Sequence, residues 1–226
     1  MEATPAVGRD REKIRQGSDR PAQDQTLTAR DVPAEDVERA RVYGLLARVL
    51  AEPMSEGTLA AVRGLADSAN DTEFGRALKS LGALARRTSR TAAEEEYTVL
   101  FFGVGAGGEM QPYASYYLTG FMYEKPLANL RSDMMTLGIA ASGVSNEPED
   151  HIAYLCEIMH GLITGTFGGP RDLATQKDFF FRHLAPWAER FFENLERAKA
   201  AALYMPVGTI GKLFMAIERE AFDTAA

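Results

Sequence analysis

The chain has little of the chemistry that secreted, membrane or disulfide-stabilised proteins need. Its 226 residues contain one cysteine, Cys156, so no disulfide can form within the chain, and this indicates a reducing compartment. No apolar run reaches the roughly 18 residues that span a bilayer. The first residues also lack the apolar core of a secretory signal. These absences predict a cytoplasmic protein without membrane insertion.

Positive charge and histidine are also scarce. The 25 Lys and Arg residues against 32 Asp and Glu residues give a net charge of −7. Nucleic-acid binding would need a basic stripe, so no nucleic-acid partner is predicted. The acidity either suits a partner that carries positive charge or serves solubility. The three histidines, His151, His160 and His183, and the single cysteine show no zinc-binding spacing, so no metal site is predicted.

Apolar residues recur at helical spacing through most of the chain, whereas strand-type alternation, a βαβ rhythm and internal repeats are absent. The stripes lie at 42–50, 74–85, 127–137, 152–163, 187–202 and 210–217. The aromatic residues of 179–187, at the start of the stripe at 187–202, are expected to be core, and His183 is expected to be a satisfied, buried or half-buried histidine. The pattern predicts an all-α fold.

Composition divides the chain into a tail and a helical domain. Residues 1–34 are rich in Arg, Asp, Glu, Gln and Pro and poor in large apolar side chains, so a disordered tail is predicted. The helical domain is expected over 35–226, with amino-terminal helices at 35–138 and carboxy-terminal helices at 148–222. The connector 139–147 between them is a predicted hinge, which would permit a monomer or a domain-swapped dimer.

The range Gly103–Gly108 contains a G-x-G-x-x-G pattern that superficially matches a dinucleotide-binding turn. Such a turn needs a strand before the glycines and a helix directly after them. Here Thr91 and Glu94 form a capping box that opens a helical pattern running up to the glycines. Pro112 then stands where the phosphate-binding helix would be in its first turns. The pattern therefore indicates a connector after a helix end, and no cofactor is predicted.

The segment Pro112–Tyr117 combines three tyrosines, a serine and a proline beside the glycine loop. Tyrosines give a large contact area at low entropic cost and keep a polar tip, which suits a peptide-binding surface. Ser115 and Tyr116 are therefore candidate binding residues. Alternatively, the same aromatics could cap a helix bundle.

The segment Glu147–His151 places three carboxylates and a histidine before the stripe at 152–163. Asn146 and Glu149 could form a capping box, with the carboxylates in the first helical turn. Capping does not account for His151 beside Asp150. This pair could be catalytic, could bind a metal, or could bind a cationic peptide. The alternative function is thus a metal- or nucleotide-dependent hydrolase, although no G-x-S-x-G motif or third metal ligand accompanies the pair.

These segments, in this order, resemble the TorD/DmsD/NarJ family of redox-enzyme maturation chaperones. The resemblance covers roughly residues 36–222. It is carried by Glu96-Tyr97, Leu100-Phe101, Gly103, Pro112-Tyr113, Ser115-Tyr116, Glu147-Pro148-Glu149-Asp150-His151, His183-Leu184 and Trp187. Some members have tryptophan at the position of Tyr113, and the loop here is richer in glycine, which leaves the client undetermined.

The resemblance implies a single helical domain of roughly ten helices without enzymatic activity. Such proteins bind the twin-arginine signal peptide or the apoprotein of a molybdenum-cofactor enzyme and assist cofactor insertion before export. Formate dehydrogenase, dimethyl sulfoxide or trimethylamine N-oxide reductase and nitrate reductase clients stay open, with the resemblance of 113–131 favouring formate dehydrogenase. A scaffolding subunit of the redox complex is a further alternative.

The resemblance also implies a peptide-binding surface, and the chemistry of a twin-arginine signal divides it into two parts. Two guanidinium groups followed by an apolar helical stretch need carboxylates beside an apolar wall. The family's Leu-Phe, Pro-aromatic and Asp-His positions line the surface. The residues expected there in this chain are Leu100, Phe101, Pro112, Tyr113, Ser115, Tyr116, Glu147, Glu149, Asp150 and His151.

Overall fold

The computed structural model describes residues 32–67, 71–103, 107–140 and 147–224. The predicted tail lies outside this part except for its last residues, of which Ala34 already begins the first helix. Most of the predicted hinge, at 141–146, also lies outside it. The α-helices of the described residues are α1 Ala34–Ala51, α2 Glu56–Arg63, α3 Glu73–Ala85, α4 Arg90–Tyr97, α5 Ala114–Thr119, α6 Lys125–Leu137, α7 Ile152–Thr164, α8 Leu173–Phe179, α9 Ala188–Glu196 and α10 Met205–Thr224.

The predicted all-α fold is confirmed, and no strand occurs in these ranges beyond one isolated bridge between Tyr113 and His151. Helix α1 packs along α7, α9 packs along α10, and α10 also contacts α3. Buried residues from both sides of the connector at 139–147 form one continuous core, with Tyr43, Trp187 and Tyr204 among the largest. The predicted amino-terminal and carboxy-terminal helices therefore share one hydrophobic core.

The helix before the glycine loop is confirmed, but it begins differently from the prediction. Ser89 is the N-cap of α4 and accepts the backbone N–H of Ala92, so the capping box at Thr91 is wrong. Helix α4 continues as a π-helical turn, Thr98–Phe102, which ends at Gly103 with a φ of +65°. The wider π turn shifts the register by one residue and so decides which of these side chains face the core.

Gly108, the last glycine of the glycine-rich pattern, packs against this π turn. A Cβ at Gly108 would lie 2.5 Å from the carbonyl oxygen of Leu100, so only glycine allows the approach. Two residues later, the N–H of Met110 donates to the same oxygen at 2.7 Å. The glycine at 108 thus serves close packing of the backbone on the preceding turn.

The helical stripe expected over 187–202 stops earlier, since α9 ends at Glu196. Two carboxylates outside α9 hold the connection that follows. Glu96 accepts the N–H groups of Ala202, Leu203 and Tyr204, and Glu109 accepts those of Lys199 and Ala200. Five backbone donors thereby find partners without a helix, which is why apolar spacing alone extended the prediction too far.

Candidate functional site

The two sequence segments predicted to form the binding surface meet directly. The N–H of Ala114 donates to the carbonyl of Asp150 at 3.0 Å, and the N–H of Ile152 donates to that of Pro112 at 2.8 Å. These bonds form the antiparallel bridge between Tyr113 and His151. We call this place, residues 112–115 with 147–152, the junction.

Asp150 lies beneath the junction and organises it from inside. Its side chain is only 1% exposed, and its Oδ2 accepts the N–H of Ser115 at 2.8 Å in the first turn of α5. Tyr113, at the N-cap position of α5, supplies no side-chain cap. The carboxylate from the other segment therefore performs the capping, which ties the start of α5 to the start of α7.

A small cavity of about 260 Å³ adjoins Asp150 on the side of α6 and is also lined by Arg182 and His183. Among the described residues, the Oδ1 of Asp150 and the Oγ of Ser115 have no hydrogen-bond partner. The predicted character of His183 is confirmed: it is buried, and its Nε2 lies 2.7 Å from Asp133. Burial lowers the pKa of His183, against the opposing effect of the hydrogen bond with Asp133.

His151 is the N-cap of α7. Its side chain is 5% exposed, and its Nδ1 accepts the N–H of Ala153 at 3.1 Å. Burial lowers the pKa of His151 to about 4, so the ring is neutral at pH 7 and can serve as an acceptor. The predicted capping by Glu149 is wrong, because the helix begins only at Ile152 and the carboxylates lie in the turn before it, which the N–H of His151 closes by donating to the carbonyl of Pro148.

Asp150 and His151 thus bond to different backbone amides. A catalytic Asp–His pair needs the carboxylate to orient the imidazole. Here the carboxylate serves Ser115 and the imidazole serves Ala153. In addition, the described part of the chain contains no group of three or more His, Cys, Asp or Glu residues arranged to hold a metal ion.

Glu147 lies at the surface of the junction, where it accepts the phenolic hydroxyl of Tyr113. Burial, and then this hydrogen bond, raise the pKa of Tyr113, so its hydroxyl stays a donor. The pKa of Tyr97 is also raised, by burial first and then by the charges of Glu147 and Glu52. Because Tyr97 donates to the carbonyl of Leu50 at 3.1 Å, the end of α1 lies close to the junction.

Glu149 forms an ion pair with Arg131 of α6, at 2.7 Å from Nη2 and 2.9 Å from Nε. Burial opposes ionisation of Glu149, but hydrogen bonds from Arg131 and from a backbone amide outweigh it and hold the pKa of the carboxyl below its usual range. The sequence predicted this carboxylate for an arginine of a peptide. In the folded chain, an arginine of the protein itself already pairs with it.

The apolar residues predicted for the surface are distributed differently from the expectation. Leu100 is 0% exposed and Phe101 is 9% exposed, and both belong to the core. Their neighbours Val99 and Phe102 face solvent instead, with Phe102 56% exposed.

In the tyrosine segment, Pro112 and Ser115 are buried and Tyr116 is exposed. The aromatic wall of the surface consists of Tyr113 and of Tyr116, which follows it by three residues in α5. Phe102 is an exposed aromatic residue on the π turn, where its ring contacts Tyr97. The sequence reasoning missed Arg131 as the partner of Glu149 and Phe102 as the exposed aromatic residue of the π turn. A one-residue shift by the π turn would have to be recognised to find Phe102.

None of the helices in the described residues combines the length and apolarity required to traverse a bilayer.

Comparisons with known proteins agree with the fold and with the family resemblance. The model of the nitrate reductase delta subunit family matches residues 67–193, more than half of the chain. The TorD chaperone of Vibrio cholerae, in each of three strains, is 26% identical over 202 residues, which cover 82% of this chain and 92% of the relative. The solved structure of a candidate redox enzyme maturation protein from Archaeoglobus fulgidus covers 79% of this chain and 93% of its own, with a TM-score of 0.52 at 20% identity.

The structural match supports the same helical fold, and the relative from Vibrio cholerae is named a chaperone. The resemblance seen in the ordered motifs is thereby confirmed, and the hydrolase alternative is set aside. The chain belongs to the nitrate reductase delta subunit family, that is, to the TorD/NarJ family of redox enzyme maturation chaperones, which is not a family of enzymes.

Proposed function

We infer that this protein acts in the cytoplasm and binds the twin-arginine signal peptide, the folding apoprotein, or both, of a molybdenum-cofactor oxidoreductase. It holds this client and assists cofactor insertion before export. The observation that supports the proposal is the junction, where hydrogen bonds join 112–115 to 150–152. They bring an acidic edge, formed by Glu147 and Glu149, beside the aromatic wall that begins at Tyr113. Carboxylates beside apolar surface match the two arginines and the apolar stretch of such a leader.

Burial divides the ten predicted site residues into two roles. Residues with exposed or half-buried side chains can contact a peptide, and these are Tyr113, Tyr116, Glu147 and Glu149. Residues inside the protein hold the contacting residues in place, and these are Leu100, Phe101, Pro112, Ser115, Asp150 and His151. The proposal therefore assigns recognition of guanidinium groups to Glu147 and Glu149 and a positioning role to Asp150.

Calorimetric titration with a twin-arginine leader and with a scrambled peptide of equal composition tests the proposal. We expect the leader to bind more tightly, with an affinity that falls as salt is raised, because the contact is between charges. Glu147→Gln should weaken the binding of the leader, whereas the matched exposed variant Glu95→Gln on α4 should not. Equal affinity for the leader and the scrambled peptide would contradict recognition of the sequence by this surface.

The class of client is tested by co-expression with single apoenzymes. The resemblance of 113–131 favours a formate dehydrogenase, and reductases of the dimethyl sulfoxide, trimethylamine N-oxide or nitrate type are the alternatives. A chaperone should purify with the cofactor-free enzyme and be absent from the cofactor-loaded form. Because the description of the family model names a subunit, the scaffolding alternative stays a second candidate, and co-purification with active, loaded enzyme would favour it.

The oligomeric state, a monomer or a dimer swapped at 139–147, stays a prediction. Light scattering behind size-exclusion chromatography distinguishes the two.

A further inference from the structure

A long groove lies on the other side of α1 from the core. Its volume is about 1090 Å³, slightly above the range for ligand clefts in proteins, roughly 300–1,000 Å³. Helices α1, α2, α3, α7 and α10 all contribute to it. The apolar lining consists mainly of Val42, Leu45, Leu65, Phe74, Leu78 and Ile217.

These apolar side chains are only partly covered by the protein itself. Ile217 is 50% exposed, and Leu45 and Leu78 are half-buried at the edge of the core. A contiguous apolar surface of this kind marks an interaction site in soluble proteins. Its lining extends along α1 from Glu38 to Glu52, and an apolar groove between helices is a type of surface that binds the apolar face of an amphipathic helix.

The charges along the groove are arranged asymmetrically. At one end Arg39 pairs with Glu218, and Arg41 pairs with Glu38, so their charges are compensated. At the other end the described lining of the groove contains the carboxylates of Glu52 and Glu157 and one cation, Arg48.

Helix α7 and Tyr97 relate the carboxylate end of the groove to the junction. Helix α7 starts at the junction, and Glu157 follows His151 by six residues, which corresponds to about 9 Å along the helix axis. Tyr97, which donates to Leu50 at the end of α1, has both Glu52 and Glu147 as charged neighbours. Glu52, which lines the groove, and Glu147 of the junction therefore both lie near Tyr97, and Glu157 adds a further carboxylate to the groove lining.

We propose that the groove between α1, α3 and α10 binds the apolar helical stretch of the client leader, with the two arginines at the end marked by Glu52, Glu147 and Glu157. This inference rests on the proposed function and adds the seat and the direction of the peptide. The occupant follows from charge complementarity: an apolar groove with carboxylates at one end fits a segment with cations at one end and apolar residues after them.

A fluorescent label on α2 tests the seat of the peptide. The only natural cysteine, Cys156, is 0% exposed, so a polar thiol reagent should label an introduced cysteine selectively. Ala61→Cys places the label in the groove, and Ala60→Cys places it on the neighbouring exposed position outside the groove. With an environment-sensitive label, we expect the full leader to shift the emission of the Ala61→Cys protein to shorter wavelength and to leave that of the Ala60→Cys protein unchanged.

A charge in the groove tests the energetics of the same contact. We expect Ile217→Asp to weaken binding of the full leader by roughly tenfold, because an aspartate would face the apolar stretch. A peptide cut after the arginines should bind both proteins equally. Leu173→Asp on α8, at a position of similar exposure outside the groove, is the control and should bind the leader like the unmodified protein.

The outcomes separate the inference from the proposed function. If the unmodified protein does not distinguish the leader from its scrambled form, the proposed function fails. If it does, but neither the Ala61 label nor Ile217→Asp responds, the groove is not the seat and this inference alone is overturned. Emission that is already shifted without peptide would also overturn it. If that shift grows with protein concentration, a second copy of the chain occupies the groove. If the shift does not depend on concentration, residues 1–31 of the same chain occupy it.

Discussion

The junction and the groove are neighbours along α7, yet they are built from opposite kinds of surface. In the junction, polar groups are buried and bonded inside the protein, as with Asp150 to Ser115 and His151 to Ala153. In the groove, apolar side chains such as Leu78 and Ile217 are left partly in contact with water. A buried polar network fixes one geometry, whereas exposed apolar area supplies binding free energy when a partner covers it.

This difference separates two effects of substitution. A change inside the junction should lower the stability of the fold, and binding should suffer because the geometry is lost. A change in the groove should affect binding with a smaller loss of stability. A junction variant that left stability intact, or a groove variant as damaging as those at Asp150, would break the comparison.

The largest effect is expected at acid pH through His151. The pKa is about 4 in the folded state, lowered by burial, against about 6.5 in the unfolded chain. The unfolded state therefore binds the proton first, and the free energy of unfolding should fall as the pH drops from about 6.5 towards 4, by at most about 3 kcal/mol. His151→Asn keeps an N-cap acceptor and removes this titration.

Urea unfolding of both proteins at several pH values between 4 and 7.5 measures this effect. The difference between them is the informative quantity, because His183 and the carboxylates titrate in both. The unmodified protein should lose more stability than His151→Asn over this range. Parallel curves would show that the pKa of His151 is the same in the folded and unfolded states, so that burial does not lower it.

A somewhat smaller effect is expected from Asp150→Ala. The substitution leaves the buried N–H of Ser115 without its acceptor, which should lower the free energy of unfolding by about 2 kcal/mol. Asp150→Asn keeps an acceptor oxygen of the same size and should cost clearly less. Urea unfolding at pH 7 compares the three proteins, and equal losses for Ala and Asn would show that the charge, and not the capping bond, is what stabilises the junction.

The helices and the motif positions could be predicted from the sequence, because helical periodicity and local order are properties of short segments. The side-chain roles could not, because they depend on register and on distant partners. Leu100 and Phe101 were expected at the surface, but the π turn at Thr98–Phe102 turns them into the core and presents Phe102 instead. No residue in that segment signals the extra residue per turn.

Partners distant in sequence explain the other differences. Glu149 pairs with Arg131, 18 residues away, and Glu96 holds the connection before α10, more than 100 residues away. The groove combines five helices. Neither contact follows from spacing along the chain, because tertiary packing chooses the partners. The junction itself could be anticipated only as a hypothesis, since the two segments lie on opposite sides of the predicted hinge.

In the groove, Leu78→Ala should have a smaller effect on stability than the junction variants. Leu78 is half-buried, so its truncation removes only part of the contacts of a core leucine and should lower the free energy of unfolding by about 1 kcal/mol. Urea unfolding measures this value, and calorimetry measures affinity for the leader, which should fall as well. A loss as large as that of Asp150→Ala would show that the groove wall belongs to the core and is not a free surface.

The smallest effect on stability is expected at Arg131, where a substitution should strengthen binding of the leader instead of weakening it. Its ion pair with Glu149 lies at the surface, where such pairs contribute about 0–1 kcal/mol, so Arg131→Gln should change the free energy of unfolding by less than about 0.5 kcal/mol. The substitution frees Glu149 for an arginine of the client. We therefore expect a twin-arginine leader to bind the variant two- to fivefold more tightly, roughly the value of one surface ion pair.

If Arg131 competes with a client arginine for Glu149, two further results should follow that a general gain of negative charge would not produce. The gain should disappear in Glu149→Gln, because that carboxylate is the shared partner, and it should be smaller for a leader with lysines, which cannot form the bidentate contact. Weaker binding by Arg131→Gln would contradict the competition, since it would mean that Arg131 itself contacts the client. The acidic edge of the junction would then owe its selectivity to Glu147 alone, and the groove would have to supply most of the affinity.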